Sequence, residues 1–191
     1  QEHWLTPANL CKFDKYYSYF SFGRSAMVNA VESGLLKGRP YGGVITLINN
    51  NLRHVSETIH CSDRFCIVKV ASYVIVNLYL PCSGTKDRLI IIEDLLAEVA
   101  SWFNRFPTCD YFVAGDLNVD LDCNDNVAQC INNFICDFSL HRCDLLSGKA
   151  KCATYVDVAL NHQSTIDFML VSAPDRLIDF EIIDSEVNFS D

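Results

Sequence analysis

The chain has 191 residues, a formal net charge of −9, 50% hydrophobic and 20% charged residues, and a mean hydropathy of +0.12. That is room for one domain with a sizeable core, and it excludes a disordered or low-complexity chain. The acidic balance argues against a nucleic-acid partner, which is usually met by a basic surface, unless carboxylates gather around a divalent cation whose charge reverses their effect on a phosphate.

No apolar run approaches the ~20 residues that cross a bilayer. The start Gln1-Glu2-His3-Trp4 has neither the basic opening nor the apolar stretch of a signal peptide. Gly43 to Ile48 reads as a strand after a glycine-rich turn. Phe65 to Val70 and Tyr73 to Tyr79 are runs rich in Val, Ile and Tyr, separated by Ala71-Ser72, and predict a hairpin. In Arg88 to Asn104, Leu89, Ile92, Leu96, Val99 and Phe103 recur at spacings of three and four and predict an amphipathic helix. Asp110 to Gly115 reads as a short buried strand. Asn126 to Phe138 predicts a second helix with Val127, Ile131, Phe134 and Phe138 on one face. Thr165 to Ser172 and Asp179 to Asp184 read as closing strands. Strands interspersed with two helices, without repeats or linkers, predict an α/β or α+β sandwich of packed layers with helices outside.

The chain has ten cysteines. Cys61 and Cys66 lie five apart, Cys130 and Cys136 six apart, and no two share a CxxC spacing. Cys66, Cys130 and Cys136 sit in apolar runs, where a thiol acts as a small buried hydrophobe. Reduced cysteines and an intracellular setting, nuclear or cytoplasmic, follow.

Polar residues recur where the apolar runs pause. Glu2 opens the chain; Asn77 and Tyr79 end a strand before Pro81; Asp116 and Asn118 follow the strand Tyr111 to Ala114; Asp167 stands between Ile166 and Phe168; Ser190-Asp191 closes the chain. Strand-end carboxylates and amides can converge at one sheet edge, and hard oxygen donors suit magnesium better than zinc. Two carboxylates ~4 Å apart repel by about 4 kcal/mol at an effective dielectric of 20, so such a pair calls for a cation or a shared proton. Each residue also has a plainer reading. Gly-Asp-Leu-Asn makes a turn, Tyr79 an ordinary strand end, and the termini solvated charges. Asp167, inside Thr-Ile-Asp-Phe-Met-Leu, is a buried charge that needs a partner of some kind. Arg39, in Lys37-Gly38-Arg39-Pro40-Tyr41-Gly42-Gly43, either holds a phosphate or is merely exposed.

Taken in order, Gln1-Glu2-His3-Trp4, Gly38 to Val44, Val76 to Pro81, Val113 to Asn118, Ser164 to Ser172 and the terminal Ser190-Asp191 resemble the endonuclease/exonuclease/phosphatase superfamily over essentially the whole chain. The opening and the Arg-Pro-Tyr-Gly-Gly-Val segment look most like the apurinic-type endonuclease domain of non-LTR retrotransposons. The resemblance implies a four-layered sandwich, two mostly antiparallel sheets packed face to face with helices outside, and DNA nicking by magnesium-dependent phosphodiester hydrolysis, with manganese as a substitute metal. A reverse transcriptase domain would accompany it in the parent polyprotein. It implies metal binding by Glu2, Asp191, Asp116 and Asn118, and catalytic roles for Tyr79, Asp116, Asn118 and Asp167. Asp116 would handle the attacking water and Asp167 would orient a catalytic histidine. Arg39, Asn77, Thr154 and Ser164 would contact the substrate. The family's first strand would precede Gln1 and its catalytic histidine would follow Asp191, so the domain is expected to lack both. His3, His54, His60, His141 and His162 stand in the wrong motifs to replace that histidine. Other phosphoesterases of the fold, acting on inositol phosphates or sphingomyelin, and an inactive remnant of a mobile element, are the alternatives.

Overall fold

The computed structural model describes residues 3–6, 9, 19–24, 26, 32–35, 42–148, 153–157, 159 and 161–182. The apolar runs become strands, numbered in chain order: β1 Tyr19–Arg24, β2 Val44–Asn49, β3 Ser56–Cys61, β4 Phe65–Val70, β5 Tyr73–Tyr79, β6 Asp110–Asp116, β7 His141–Arg142, β8 Tyr155–Asp157, β9 His162–Ser164 and β10 Asp167–Val171. Among the described residues the α-helices are α1 Arg88–Phe103, α2 Asn126–Asp137 and the single-turn α3 Cys143–Leu146. Six strands form one sheet in the order β3-β4-β5-β6-β10-β7, while β1 pairs with β2 and β8 with β9. Among the described residues all pairings are antiparallel except β5 with β6, which run parallel. A parallel pair needs a crossover of a dozen or more residues, and α1 supplies it.

The period-two alternation of β5 sorts the layers. Val74, Val76 and Leu78 are buried toward the helices with Ile92, Leu96, Val99 and Phe103 of α1. On the other face, Val44 and Ile48 of β2 pack against Cys66, Val68 and Val70 of β4, with Ile75 and Tyr79 at the margin. The sheets therefore pack face to face and the two long helices cover the outer face of the larger one. The expected fourth layer, helices outside the second sheet, is a reading that lies outside the described residues. The ring of Phe103 stacks on Tyr111 at 4.0 Å and meets the edge of Phe138 at 5.2 Å. The Tyr111 hydroxyl donates to the Phe103 and Phe106 carbonyls at 3.0 and 3.2 Å, so the end of α1 is tied to the strand it covers. At the start of α2 an Asp125 carboxylate oxygen accepts from the Ala128 N–H at 2.8 Å, which satisfies a first-turn donor.

Some expectations need correction. Residues 179–182 form no strand, and Ile178 before them is fully exposed. The edge beside β10 is already taken by β7, where Arg142 pairs with Leu170, so the later apolar run has no partner there. The buried face of α2 is Ala128, Ile131, Phe134 and Ile135, turned slightly from the expected stripe, with Val127 and Phe138 half-buried. The eight described cysteines are free thiols, but Cys136 is exposed and Cys130 half-buried, so of the three expected inside only Cys66 is fully so.

Gly115 explains why β6 lies so close to β5. A Cβ there would sit 1.8 Å from the Leu78 carbonyl oxygen and 2.7 Å from its carbon. Both are backbone atoms that cannot turn aside. Gly115→Ala is expected to cost about 3 kcal/mol, the upper end of overpacking penalties, read from the midpoint of urea unfolding. An unchanged midpoint would show that β5 yields at this point.

Candidate active site

The strand register assembles the site. Along the parallel pair Tyr79 stands beside Asp116, and along the antiparallel pair Asp167 stands opposite Asp116. Neighbouring strands are ~4.8 Å apart. Three consecutive strands thus deliver a phenol and two carboxylates to one level at one end of the sheet. Tyr79 belongs to the face turned away from α1 and α2, as do its alternates Ile75 and Asn77. Like charges directly opposite one another destabilise a sheet, so the pair Asp116 and Asp167 has a chemical rather than a packing rationale.

The loop after Asp116 is held from several sides. The Asn118 N–H donates to Asp116 Oδ1 at 2.8 Å, and the Asn118 side-chain amide donates to the Leu80 carbonyl at 2.9 Å. Asn118 is left-handed, with φ 55°, a conformation that asparagine tolerates better than most side chains. Leu80 N–H donates to the Asp116 carbonyl at 2.9 Å and Leu117 N–H to that of Ile166 at 2.8 Å. Arg88, at the start of α1, donates to the carbonyls of Asn118 and Pro81 at 2.7 and 3.0 Å. Farther along, Arg142 holds Asp144 through two bonds at 3.2 and 2.7 Å and Asp122 at 2.6 Å, with its guanidinium over the Phe168 ring at 5.0 Å. Those bonds fasten the Asp116–Asp122 segment to the β7 and β10 edge.

Asp167 is supported from the β8–β9 hairpin. Thr154 Oγ1 accepts from the N–H groups of Ile166 and Asp167 at 3.0 and 3.1 Å. Thr154 in turn donates its own N–H to the Ser164 carbonyl at 3.1 Å. Burial pushes the Asp167 carboxyl above its ordinary range, and the hydrogen bond with the Thr154 hydroxyl opposes that shift without cancelling it.

Among the residues expected to serve the site, Tyr79, Asp116, Asn118 and Asp167 come together, and Thr154 and Ser164 stand behind Asp167. Asn77 does not reach the row. It faces the second sheet, donates to the Ile45 carbonyl of β2 at 2.7 Å, and leaves its own Oδ1 buried without a hydrogen-bond partner. Its visible role is to join the two sheets. Glu2, Arg39 and Asp191 lie outside the described residues. Among the described residues no three His, Cys, Asp or Glu side chains form a metal-holding group. The carboxylate pair and the Asn118 amide oxygen are nonetheless hard donors of the kind magnesium takes. Arg64 is a residue that reading the motifs missed. The hairpin register could have found it, because counting outward from Ala71-Ser72 pairs Arg64 with Tyr79. A groove of about 460 Å³ between α1 and α2 lies across the sheet from the carboxylates and has no part in this chemistry.

No family model matches the sequence, and no curated protein matches it. The likeness is structural. The 3′-5′ exonuclease NExo from Neisseria meningitidis aligns with a TM-score of 0.65 at 14% identity, covering 93% of this chain and 77% of that one. The 3′ phosphatase NExo from Neisseria, bound to a product DNA hairpin, aligns at 0.58 and 16% identity, covering 90% and 74%. The endonuclease domain of TRAS1, a telomere-specific non-LTR retrotransposon, aligns at 0.55 and 13% identity, covering 81% of this chain and 65% of that one. This chain therefore spans less than two thirds of the TRAS1 domain. At such identities the shared property is the fold, and the chain has the endonuclease/exonuclease/phosphatase fold: a six-stranded and a two-stranded sheet with helices outside.

The raised pKa of Asp167 has a measurable consequence. A carboxyl raised on folding stabilises the protein below its unfolded pKa, and that contribution is lost as pH rises through the folded value. At neutral pH the half-buried charge is a cost. Asp167→Asn is expected to raise the urea midpoint at pH 7 in chelated buffer, with the gain shrinking toward pH 4. A variant less stable than the parent at pH 7 would contradict the assignment of burial as the dominant effect.

Proposed function

We propose that this chain is the catalytic domain of a magnesium-dependent DNA endonuclease, hydrolysing phosphodiester bonds in the manner of a non-LTR retrotransposon nuclease. The observation that carries the reading is the row Tyr79, Asp116 and Asp167 on three adjacent strands, with Asn118 locked beside it. The fold shared with proteins described as nucleases and a 3′ phosphatase supports it.

The chemistry is in-line attack of water on the phosphorus. Asp116, its Oδ1 held by the Asn118 N–H, positions the water and takes its proton. The Tyr79 hydroxyl and the second amide hydrogen of Asn118 donate to phosphoryl oxygens as negative charge develops on them. Asp167, with Thr154 fixing its backbone, orients the histidine that the family resemblance implies. Asp116, Asn118 and, by resemblance, Glu2 and Asp191 would hold magnesium or manganese, which would supply charge neutralisation at the phosphate and the leaving oxygen. The setting is nuclear or cytoplasmic, and the parent polyprotein carries a reverse transcriptase.

The test is nicking of supercoiled plasmid in magnesium. Asp116→Ala is expected to lower the rate by ~10²–10⁴-fold, the usual worth of general acid–base help. Tyr79→Phe is expected to lower it by ~10²–10³-fold, that of one preorganised donor. Undiminished nicking by the Asp116→Ala protein would rule out this mechanism.

A further inference from the structure

We propose that Arg64 binds a second phosphate of the substrate strand, next to the one that lies at the carboxylates, so that the site takes a polynucleotide rather than an isolated phosphoester. The inference rests on the nuclease reading above and adds to it a residue that holds the substrate strand.

Arg64 extends the catalytic row by one strand. It stands one step beyond the last β4–β5 pair, Phe65 with Leu78, and its carbonyl accepts the Tyr79 N–H at 2.7 Å. Its guanidinium carbon lies 5.0 Å from the centroid of the Tyr79 ring. Across β4, β5, β6 and β10 the end of the sheet therefore presents a cation, a phenol and two carboxylates in order.

That order decides what Arg64 can serve. Asp116 is two strands away, roughly 10 Å at the spacing of a sheet, with Tyr79 between. No ion pair joins the two side chains, so Arg64 is not the counterion of the acid pair. Other arginines have visible partners: Arg88 donates to two backbone carbonyls, Arg142 holds two aspartates, and Arg176 pairs with Asp110. Arg64 pairs with no carboxylate among the described residues. Stacked on a ring, a guanidinium keeps its N–H edge available for the two parallel bonds that phosphate accepts. Its backbone is already ordered, because Ser62 Oγ accepts from the N–H groups of Arg64 and Phe65 at 3.2 and 3.1 Å. Preorganisation of this kind lowers the entropic cost of binding. An anion held by Arg64 lies on the far side of Tyr79 from the carboxylates. A lone phosphoester offers one phosphate to the row, whereas a nucleic-acid strand also offers a neighbouring phosphodiester on the Arg64 side.

The experiment measures fluorescence anisotropy of a labelled double-stranded DNA oligonucleotide in calcium, across a salt series, with hydrolysis of bis(p-nitrophenyl) phosphate in magnesium as a one-phosphate reference. Arg64→Ala is expected to weaken DNA binding by about 10-fold and to reduce the slope of log affinity against log salt by ~0.9, the worth of one phosphate contact. It should lower DNA binding and nicking by a larger factor than it lowers hydrolysis of the small ester. Arg64→Lys should keep the salt slope and lose part of the affinity, which separates lost charge from lost folding. Arg105→Ala, whose guanidinium lies over Trp102 at 4.5 Å, should change neither. Unchanged affinity and slope in Arg64→Ala, with DNA bound by the parent, would overturn the inference and leave the nuclease reading standing. A parent chain that binds no DNA at low salt would overturn both the inference and the DNA reading, and its rate on the small ester would then report on phosphodiester hydrolysis alone.

Discussion

Strand β6 lies between a parallel partner on one side and an antiparallel partner on the other, and this double register sets Asp116 beside Tyr79 and opposite Asp167. The constraint is covalent in origin. The crossover through α1 fixes the direction of β6 relative to β5, and the return of β10 fixes the other edge. Moving either register by one residue would turn a carboxylate to the opposite face of the sheet. Gly115 permits the close approach of β6 to β5 that the register requires, since any side chain there would meet the Leu78 carbonyl.

Such a site costs stability locally and draws it from elsewhere. Two acids sit opposite each other, one of them raised by burial, and Asn118 adopts a left-handed backbone. Around them the supports are polar and specific: Thr154 beneath Asp167, Leu80 under Asn118, Arg88 across the loop. The compensating burial lies behind the sheet, where Phe65, Phe103, Ile92 and Leu78 are almost wholly removed from solvent. The larger buried cluster lies on the helix-covered face, and the row of Tyr79, Asp116 and Asp167 lies at the margin of the opposite face. This division is common where function demands unfavourable electrostatics.

The long periodic elements were legible because burial on one face writes itself into the spacing of apolar residues. The β4–β5 hairpin keeps its expected limits, and α1 ends within one residue of its expected end. β1, Tyr19–Arg24, escaped notice although it pairs with β2 along its whole length, and the other missed strands are short or of mixed polarity. β3, Ser56–Cys61, is an edge strand of mixed polarity with an irregularity between Thr58 and His60, and β7 to β9 have two or three residues each. Of the expected strand over Asp179 to Asp184, residues 179–182 form none, since β7 already takes the edge beside β10, and 183–184 lie outside the described residues. At the site, motif order picked out Tyr79, Asp116, Asn118 and Asp167, which end or interrupt apolar runs and which the strand register brings together. The Asn77 side chain joins the two sheets, and the place of Arg64 shows only in its pairing across the hairpin.

The account turns on Asp116 and its neighbours forming a cation centre for phosphate chemistry. The most direct measurement is anomalous diffraction from crystals of the protein soaked in manganese. The account predicts an anomalous peak about 2.1 Å from a carboxylate oxygen of Asp116, a typical length for a small divalent cation bonded to oxygen, and its loss in the Asp116→Asn protein. Asp116 and Asp167 sharing a proton, with no peak at either while manganese occupies other carboxylates of the same crystal, would contradict it.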